Sequence, residues 1–278
     1  MVGDTAYRIA MPRDMRFPAR FPGSAASSFC GRTLTAMTES AHDTMRAPLI
    51  VTFDFYSALV DYETSVAPAV RAVCGDDPAA LALTRTWRAK QLEWAQLSNS
   101  LQRGRIPFRE CTRRALVHTF ARAGHALSQA NVERLVAAWE QLAPWPEANA
   151  ALRETKARGY RIAVLSNGDE AMLRAGLRGF GVEFGAVFAS DRAGVYKPHP
   201  AVYALPVDAL ACAPGDVLHV AGSAIDALGA KLAGLRCAWS NRAGDPPMMP
   251  DALPDHQFRD LTGLLDILPE ATKDRVPN

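Results

Sequence analysis

Apolar and polar positions follow two rhythms along this chain, and the switches between them mark its organisation. Ile50 to Phe53 (IVTF) is an uncharged, β-rich run of the kind that sits buried on both faces of a parallel sheet. Runs of the same type recur at Arg161 to Leu165 (RIAVL), Ala186 to Ala189 (AVFA), Val217 to Val220 (VLHV) and Arg236 to Trp239 (RCAW). A short edge strand is expected near Gln257-Phe258. Between them lie helical patterns at Glu147 to Arg158, Glu170 to Gly179, Pro200 to Ala211, Asp226 to Ala233 and Leu261 to Leu268. Strands that alternate with helices predict an α/β fold, a doubly wound parallel sheet with right-handed crossovers.

From Asp61 to about Ala143 the period is helical instead. Ala80 to Gln102 contains no Gly or Pro and sets Leu81, Thr84, Trp87, Gln91 and Trp94 at three- and four-residue steps, with Arg88, Leu92 and Ala95 on the neighbouring face. Pro107-Phe108 opens a further helix through Phe120, and Ser128 caps one from Gln129 to Gln141. The expected organisation is a core of residues 47–62 and 144–278, interrupted by an all-helical insert at 63–143. Residues 1–46 carry Arg8, Arg13, Arg16 and Arg20 among Pro, Gly and Ser without a sustained period, and read as a poorly ordered extension. A translation start at Met37 or Met45, just ahead of the first strand, is the favoured account of that extension. A presequence is the alternative, against which Asp4, Asp14 and Glu39 argue.

Composition narrows the class of function. With 278 residues, 49% hydrophobic and 22% charged, and a net charge of +2, the chain reads as an ordinary globular protein. It lacks a basic stripe interleaved with aromatics, so no nucleic-acid partner is expected, and no apolar run has the length of a membrane span. Cys30, Cys74, Cys111, Cys212 and Cys237 are dispersed and odd in number, which suits reduced thiols in a cytoplasmic protein.

Candidate chemistry gathers at strand ends. Asp54 closes the first run, Ser166-Asn167 closes RIAVL, Lys197 lies in VYKPHPAVY, and Asp226 follows GSAI after VLHV. In an open α/β sheet the carboxyl ends of the strands are where ligands bind. Taken singly, each signal is equally a turn or a cap. Taken together they supply what an aspartyl-ester hydrolase needs. These are a nucleophilic carboxylate, a hydroxyl for a substrate oxygen, a lysine that keeps the carboxylate ionised, and a second aspartate.

This order resembles the haloacid dehalogenase superfamily, and in detail its L-2-haloacid dehalogenase branch. FDFYSALVD is similar to that branch's FDxYGTLFD, TWRAKQLEWAQL to its WRxKQLEYxxL in the helical cap, and VLSNGD with VYKPHPAVY to its LSNG and VYKPxxxVY. The resemblance covers about Pro48 to Leu268 and implies a Rossmann-like core with an inserted helical cap. It implies that Asp54 displaces halide from the second carbon of a small carboxylate to form an ester, which water then attacks at the Asp carbonyl. It further implies that Arg88 receives the leaving halide and that Ser166, with backbone amides near Asn167, holds the substrate carboxylate. Lys197 would neutralise Asp54, while Tyr203 and Asp226 would position Lys197 and the hydrolytic water. Tyr56, Leu92, Phe108 and Ile225 would wall the pocket, with Ser57 and Ser223 beside them. A homodimer built on the cap helices is the family expectation.

Two features argue for catalysis without a metal or other cofactor. Phosphatases of the superfamily place a second Asp two residues after the nucleophile, where this chain has Tyr56, and an acidic ligand after the VLHV strand, where it has Ala221, Gly222 and Ser223. Other positions depart from the dehalogenase pattern itself. Ser57 replaces Gly, Ala58 replaces Thr, Ala221 replaces Ser, Ser223 replaces Asn and Ile225 replaces Trp. The expected activity is therefore metal-independent release of halide from a short (S)-2-haloacid to give a 2-hydroxy acid. The same chemistry on another small carboxylate, such as a strained cyclic amino acid, stands second. A catalytically silent member binding a small acid or a protein follows, and a magnesium-dependent phosphatase is last.

Overall fold

The computed structural model describes residues 48–269 apart from positions 76 and 102, so the extension expected at 1–46 lies outside the described residues. The first strand, β1 (Ile50–Phe53), is buried along its whole length and ends at Asp54. Asp54 caps a single widened helical turn, Phe55–Leu59, in which the Val60 amide reaches back to the Phe55 carbonyl. Such π-type turns concentrate at functional sites because the extra residue re-aims side chains. The chain then forms β2 (Val60–Asp61), leaves the core as α1 (Tyr62–Cys74), α2 (Asp77–Leu101), α3 (Phe108–Arg122) and α4 (Gln129–Ala138), and returns through β3 (Ala143–Pro144).

β2 and β3 pair antiparallel, Val60 opposite Pro144 and Asp61 opposite Ala143, so the insert leaves and re-enters at one point. Trp145 fastens that point, its amide to Leu59 O at 3.0 Å and its indole Nε1 to Ser57 O at 3.0 Å.

After the return come α5 (Ala148–Ala157), β4 (Arg161–Ser166), α6 (Glu170–Leu177), β5 (Ala186–Ala189), the single turn α7 (Ser190–Ala193) and α8 (Pro200–Leu210). β6 (Val217–Ala221), α9 (Ala224–Leu232), β7 (Arg236–Ser240), β8 (His256–Phe258) and α10 (Thr262–Ile267) complete the order. The sheet runs β5-β4-β1-β6-β7-β8 and every pairing is parallel. β1 lies between β4 and β6, so the chain winds first to one side of it and then to the other. The crevice above its carboxyl end is the topological switch point.

Alternation along the strands separates two cores. Val51, Phe53, Ile162, Val164, Leu218 and Val220 face α5, α6 and the helical insert. Ile50, Ala163, Leu165, Val217 and Ala221 face α8 and α9, where Val202, Tyr203, Ala227 and Ala230 meet them. Thr52 and His219, fully buried polar residues, are directly opposed on β1 and β6.

The helical period expected after Asp61 is realised, with different margins. On α2 the buried stripe is Ala80, Leu83, Thr84, Trp87, Arg88, Gln91, Ala95 and Ser98, whereas Leu81 and Trp94 lie at its edge. The stripe is this wide because α1 and α3 both pack on α2. α4 stops at Ala138, short of the expected Gln141, where Trp139 turns inward to stack on Tyr62 and meet Trp87 edge to face. Cys74, Cys111, Cys212 and Cys237 are free.

Candidate active site

Three parallel strands deliver polar side chains to the crevice, because each strand's apolar run ends at the same level. Asp54 follows β1, Ser166 ends β4, and the turn after β6 leads into α9, which carries Asp226. The Asp54 amide donates to Val220 O at 3.0 Å, continuing the ladder one residue past the strand. Its carboxylate is then held from three directions. The Ser57 amide donates to Oδ2 at 3.2 Å, and Ser166 Oγ donates to Oδ1 at 3.1 Å. The Lys197 ammonium approaches Oδ1 at 3.4 Å.

Lys197 is itself doubly engaged, its Nζ standing 2.9 Å from Asp226 Oδ1. Its backbone amide donates to Asn167 Oδ1 at 2.8 Å, which joins the Ser-Asn-Gly turn after β4 to the lysine segment. Asp226 also accepts from the Tyr203 hydroxyl at 2.9 Å and pairs with His219 Nε2 at 3.0 Å. Burial by itself raises the Asp226 carboxyl, but Lys197 and His219 together hold it well below the usual carboxylate range. An ionised pair at this depth persists only where further polar contacts support it, here Asp54 on the lysine and Tyr203 and His219 on the carboxylate.

Arg88 reaches the crevice from α2. Its guanidinium lies over three rings, Tyr56 at 5.1 Å and Tyr62 and Trp139 at 5.6 Å each, and Nη1 donates to Gln91 Oε1 at 2.5 Å. Gln91 is anchored in turn on Thr112 Oγ1 at 2.6 Å. Burial draws the Arg88 pKa down from the ordinary arginine value, and nearby Asp54 opposes that shift. An aromatic box of this kind holds a cation after stripping most of its water, which leaves its field available to an anion.

Asp54, Tyr56, Ser57, Arg88, Leu92, Gln96, Asn167, Lys197, Ser223, Ile225 and Asp226 line a small cavity of about 40 Å³. A larger chamber of about 490 Å³ shares Ser57, Arg88, Leu92 and Ser223 with it. Most residues singled out from the sequence thus converge. Phe108 does not wall this cavity. It is fully buried behind Tyr56, with ring centroids 5.2 Å apart, and packs also on Tyr196. The Ser166 hydroxyl is spent on Asp54 itself, and Tyr203 lies behind Asp226, below the cavity floor.

Sequence reasoning overlooked His219 and Gln91 as site residues. A histidine inside an otherwise apolar strand was the available signal, since a buried polar residue requires a partner. Gln96 carried no such mark.

The donor set does not suit a hard divalent cation. Asp54 and Asp226 share an ammonium, and no cluster of three or more His, Cys, Asp or Glu capable of holding a metal occurs among the described residues.

A family model for haloacid dehalogenase-like hydrolases matches residues 49–234. The chain is 32% identical over 230 residues to (S)-2-haloacid dehalogenase 4A of Burkholderia cepacia, covering 81% of this chain and 96% of that protein. Among solved structures it is similar to the L-2-haloacid dehalogenase RSc1362, with TM-score 0.76, 28% identity, and 80% and 99% of the two chains covered. It is also similar to the L-2-haloacid dehalogenase of Xanthobacter autotrophicus with chloropropionic acid covalently bound, with TM-score 0.70, 28% identity, and 79% and 98% covered.

Proposed function

The chain belongs to the haloacid dehalogenase-like hydrolases, and from that membership we propose that it hydrolyses the carbon–halide bond of a short (S)-2-haloacid without a metal ion. The observation that carries this reading is the single ammonium, Lys197, standing 3.4 Å from Asp54 and 2.9 Å from Asp226 in a small cavity that Arg88 also lines. An Asp54 oxygen attacks the second carbon from the side opposite the halogen, the carbon–halogen bond breaks with its electron pair on the halide, and an ester joins the acid to Asp54. The boxed Arg88 guanidinium receives the halide's developing charge. Water then adds to the Asp54 carboxyl carbon. The 2-hydroxy acid leaves with inverted configuration, Asp54 is regenerated, and one proton passes to solvent.

In this proposal Asn167 and the amides of its turn orient the substrate carboxylate, while Ser166 keeps the nucleophile in one rotamer. Tyr56, Leu92 and Ile225 supply apolar wall, and Ser57 and Ser223 the polar rim. The insert at 63–143 acts as a cap over the core of 47–62 and 144–278, and two cap copies form a homodimer. The exposed Leu97, Leu101 and Val117 on α2 and α3 support that pairing, which light scattering tests. Ile225 and Ser223 in the lining favour, as a second reading, another small carboxylate with a different leaving group.

Chloride release from L-2-chloropropionate and chloroacetate, with EDTA and with Mg²⁺, tests the proposal. Release unaffected by EDTA supports it. Mg²⁺-dependent phosphate release from a generic phosphoester without chloride release overturns it. Single turnover in ¹⁸O-water followed by mass spectrometry of the Asp54 peptide tests the ester step, since the label enters the carboxylate only if water attacks there.

A further inference from the structure

His219 lies at the centre of β6 with no exposure to solvent, and the reaction described above does not use it. Its ring has three polar neighbours. Thr52 Oγ1 is 3.0 Å from Nδ1, while Nε2 has Asp226 Oδ2 at 3.0 Å and Lys197 Nζ at 3.2 Å. Tyr203 closes the side, its ring edge-on at 6.0 Å between centroids. A buried imidazole with every nitrogen engaged is a constrained object, and the constraint can be read as a proton position.

Burial keeps the ring neutral, so it carries one proton. Nε2 cannot both accept from the Lys197 ammonium and donate to the Asp226 carboxylate. If Nε2 were bare, its lone pair would face a carboxylate oxygen at 3.0 Å, two acceptors in contact at a depth where screening is weak, whereas the Lys197 ammonium, farther off at 3.2 Å, has carboxylate acceptors of its own on Asp54 and Asp226 and does not need the ring nitrogen. The Thr52 hydroxyl can satisfy a bare Nδ1 by donating to it, which leaves the proton to Nε2.

We propose that His219 is a positioning residue, its proton on Nε2 and directed at Asp226 Oδ2, so that Thr52, His219, Asp226 and Lys197 form one chain that aims the lysine at Asp54. The chain begins and ends beside the same strand, because Thr52 precedes Asp54 by two residues on β1. Asp226 Oδ1 takes Lys197 and Tyr203 while Oδ2 takes His219, so the carboxylate cannot rotate away from the lysine. This inference deepens the reading of Asp54 as nucleophile and, for its kinetic arm, rests on it.

Two measurements test it. In protein labelled with ¹⁵N-histidine, the His219 resonances, assigned by their loss in His219→Gln, are expected to show Nε2 protonated and Nδ1 bare at neutral pH. Thr52→Val is expected to shift the Nδ1 signal. A proton on Nδ1, or an imidazolium, overturns the proposal. In steady-state kinetics His219→Phe is expected to lower kcat about tenfold or more with KM within about twofold, since leaving a buried carboxylate oxygen short of a donor costs roughly that factor. His219→Gln, which places an amide donor near Nε2, is expected to restore most of kcat. An unchanged kcat in folded His219→Phe, or a rise in KM that accounts for the whole loss, overturns the positioning role. Should His219→Phe fail to fold, Thr52→Val and His219→Gln carry the kinetic arm. If the parent releases no halide, the dehalogenase reading fails, and the labelled spectra still decide where the proton sits.

Discussion

The guanidinium of Arg88 stands over the ring of Tyr56, 5.1 Å from its centroid, so the cation brought by the helical insert is held by the residue two positions after the candidate nucleophile. Insert and core thereby build one half of the site together. Arg88→Lys keeps a positive charge but loses the flat stack and the bond to Gln91. Halide release is expected to fall by about 10²-fold, the loss associated with removing one well-placed electrostatic donor. Rapid-quench measurement of the first turnover checks it, because the deficit should lie in ester formation.

Lys197 is the shared counter-charge of two buried carboxylates, so removing it leaves both exposed to each other. Lys197→Met is expected to cost about 3–5 kcal/mol of stability, the penalty for orphaning a buried charge partner. Activity should drop to the level of Asp54→Asn. Urea melts and chloride assays on the two variants together check this, because Asp54→Asn should lose activity while losing far less stability.

Gly222 lets the turn after β6 press against the turn that carries the nucleophile. A Cβ there would come within 2.5 Å of the Ala58 amide nitrogen and of Ser57 Cβ. Gly222→Ala is expected to destabilise the fold by about 1–3 kcal/mol, the usual range for overpacking. It should also displace Ser57, whose amide holds Asp54 Oδ2, and so lower kcat. Thermal melts beside kinetics separate the two effects.

Stability should depend on pH through His219. Its folded pKa is depressed by burial below the unfolded value of about 6.5, so the unfolded chain binds a proton first as pH falls. The stability that the neutral ring contributes is present above about pH 6.5 and is lost as pH falls towards the folded pKa. Asp226 acts in the same sense at lower pH, its contribution being full above about pH 3.9 and lost on further acidification. Urea melts at pH 7, 6 and 5 should show decreasing midpoints, and His219→Gln should flatten that slope. An equal slope in both proteins would contradict the assignment.

The insert is fastened to the core beside the lysine. Asn99 on α2 both donates to Tyr196 O at 2.9 Å and accepts from the Tyr196 amide at 2.8 Å, one residue before Lys197. Arg105 pairs with Asp169 at 2.7 Å, and Asp169 also receives the amides of Phe108 and Arg109. Asn99→Ala is expected to cost about 1–3 kcal/mol, since it leaves buried backbone groups unpaired. Hydrogen exchange at Tyr196 and Lys197 should rise in that variant, with a fall in activity that Asn99→Asp only partly recovers.

Local pattern determined the sheet, the helical insert and the strand-end residues, because each depends on neighbours within a few positions. The buried run IVTF had to be a strand, and a carboxylate closing it had to lie at the sheet's carboxyl edge. Asp54 and Ser166 were legible for that reason, whereas Lys197, between α7 and α8, Asp226, inside α9, and Arg88, on α2, do not close strands and were legible through the motifs that carry them. Tertiary structure alone decided what these groups do to one another. The opposition of Thr52 and His219 depends on the register between β1 and β6, strands separated by more than a hundred residues. The box around Arg88 gathers Tyr56, Tyr62 and Trp139 from three separate elements. Phe108 retreats behind Tyr56 because the aromatic ahead of it already fills the wall. Periodicity reports which face of an element is buried, but only the packing of distant elements fixes which polar groups share that burial, and there the proton positions and charges are set.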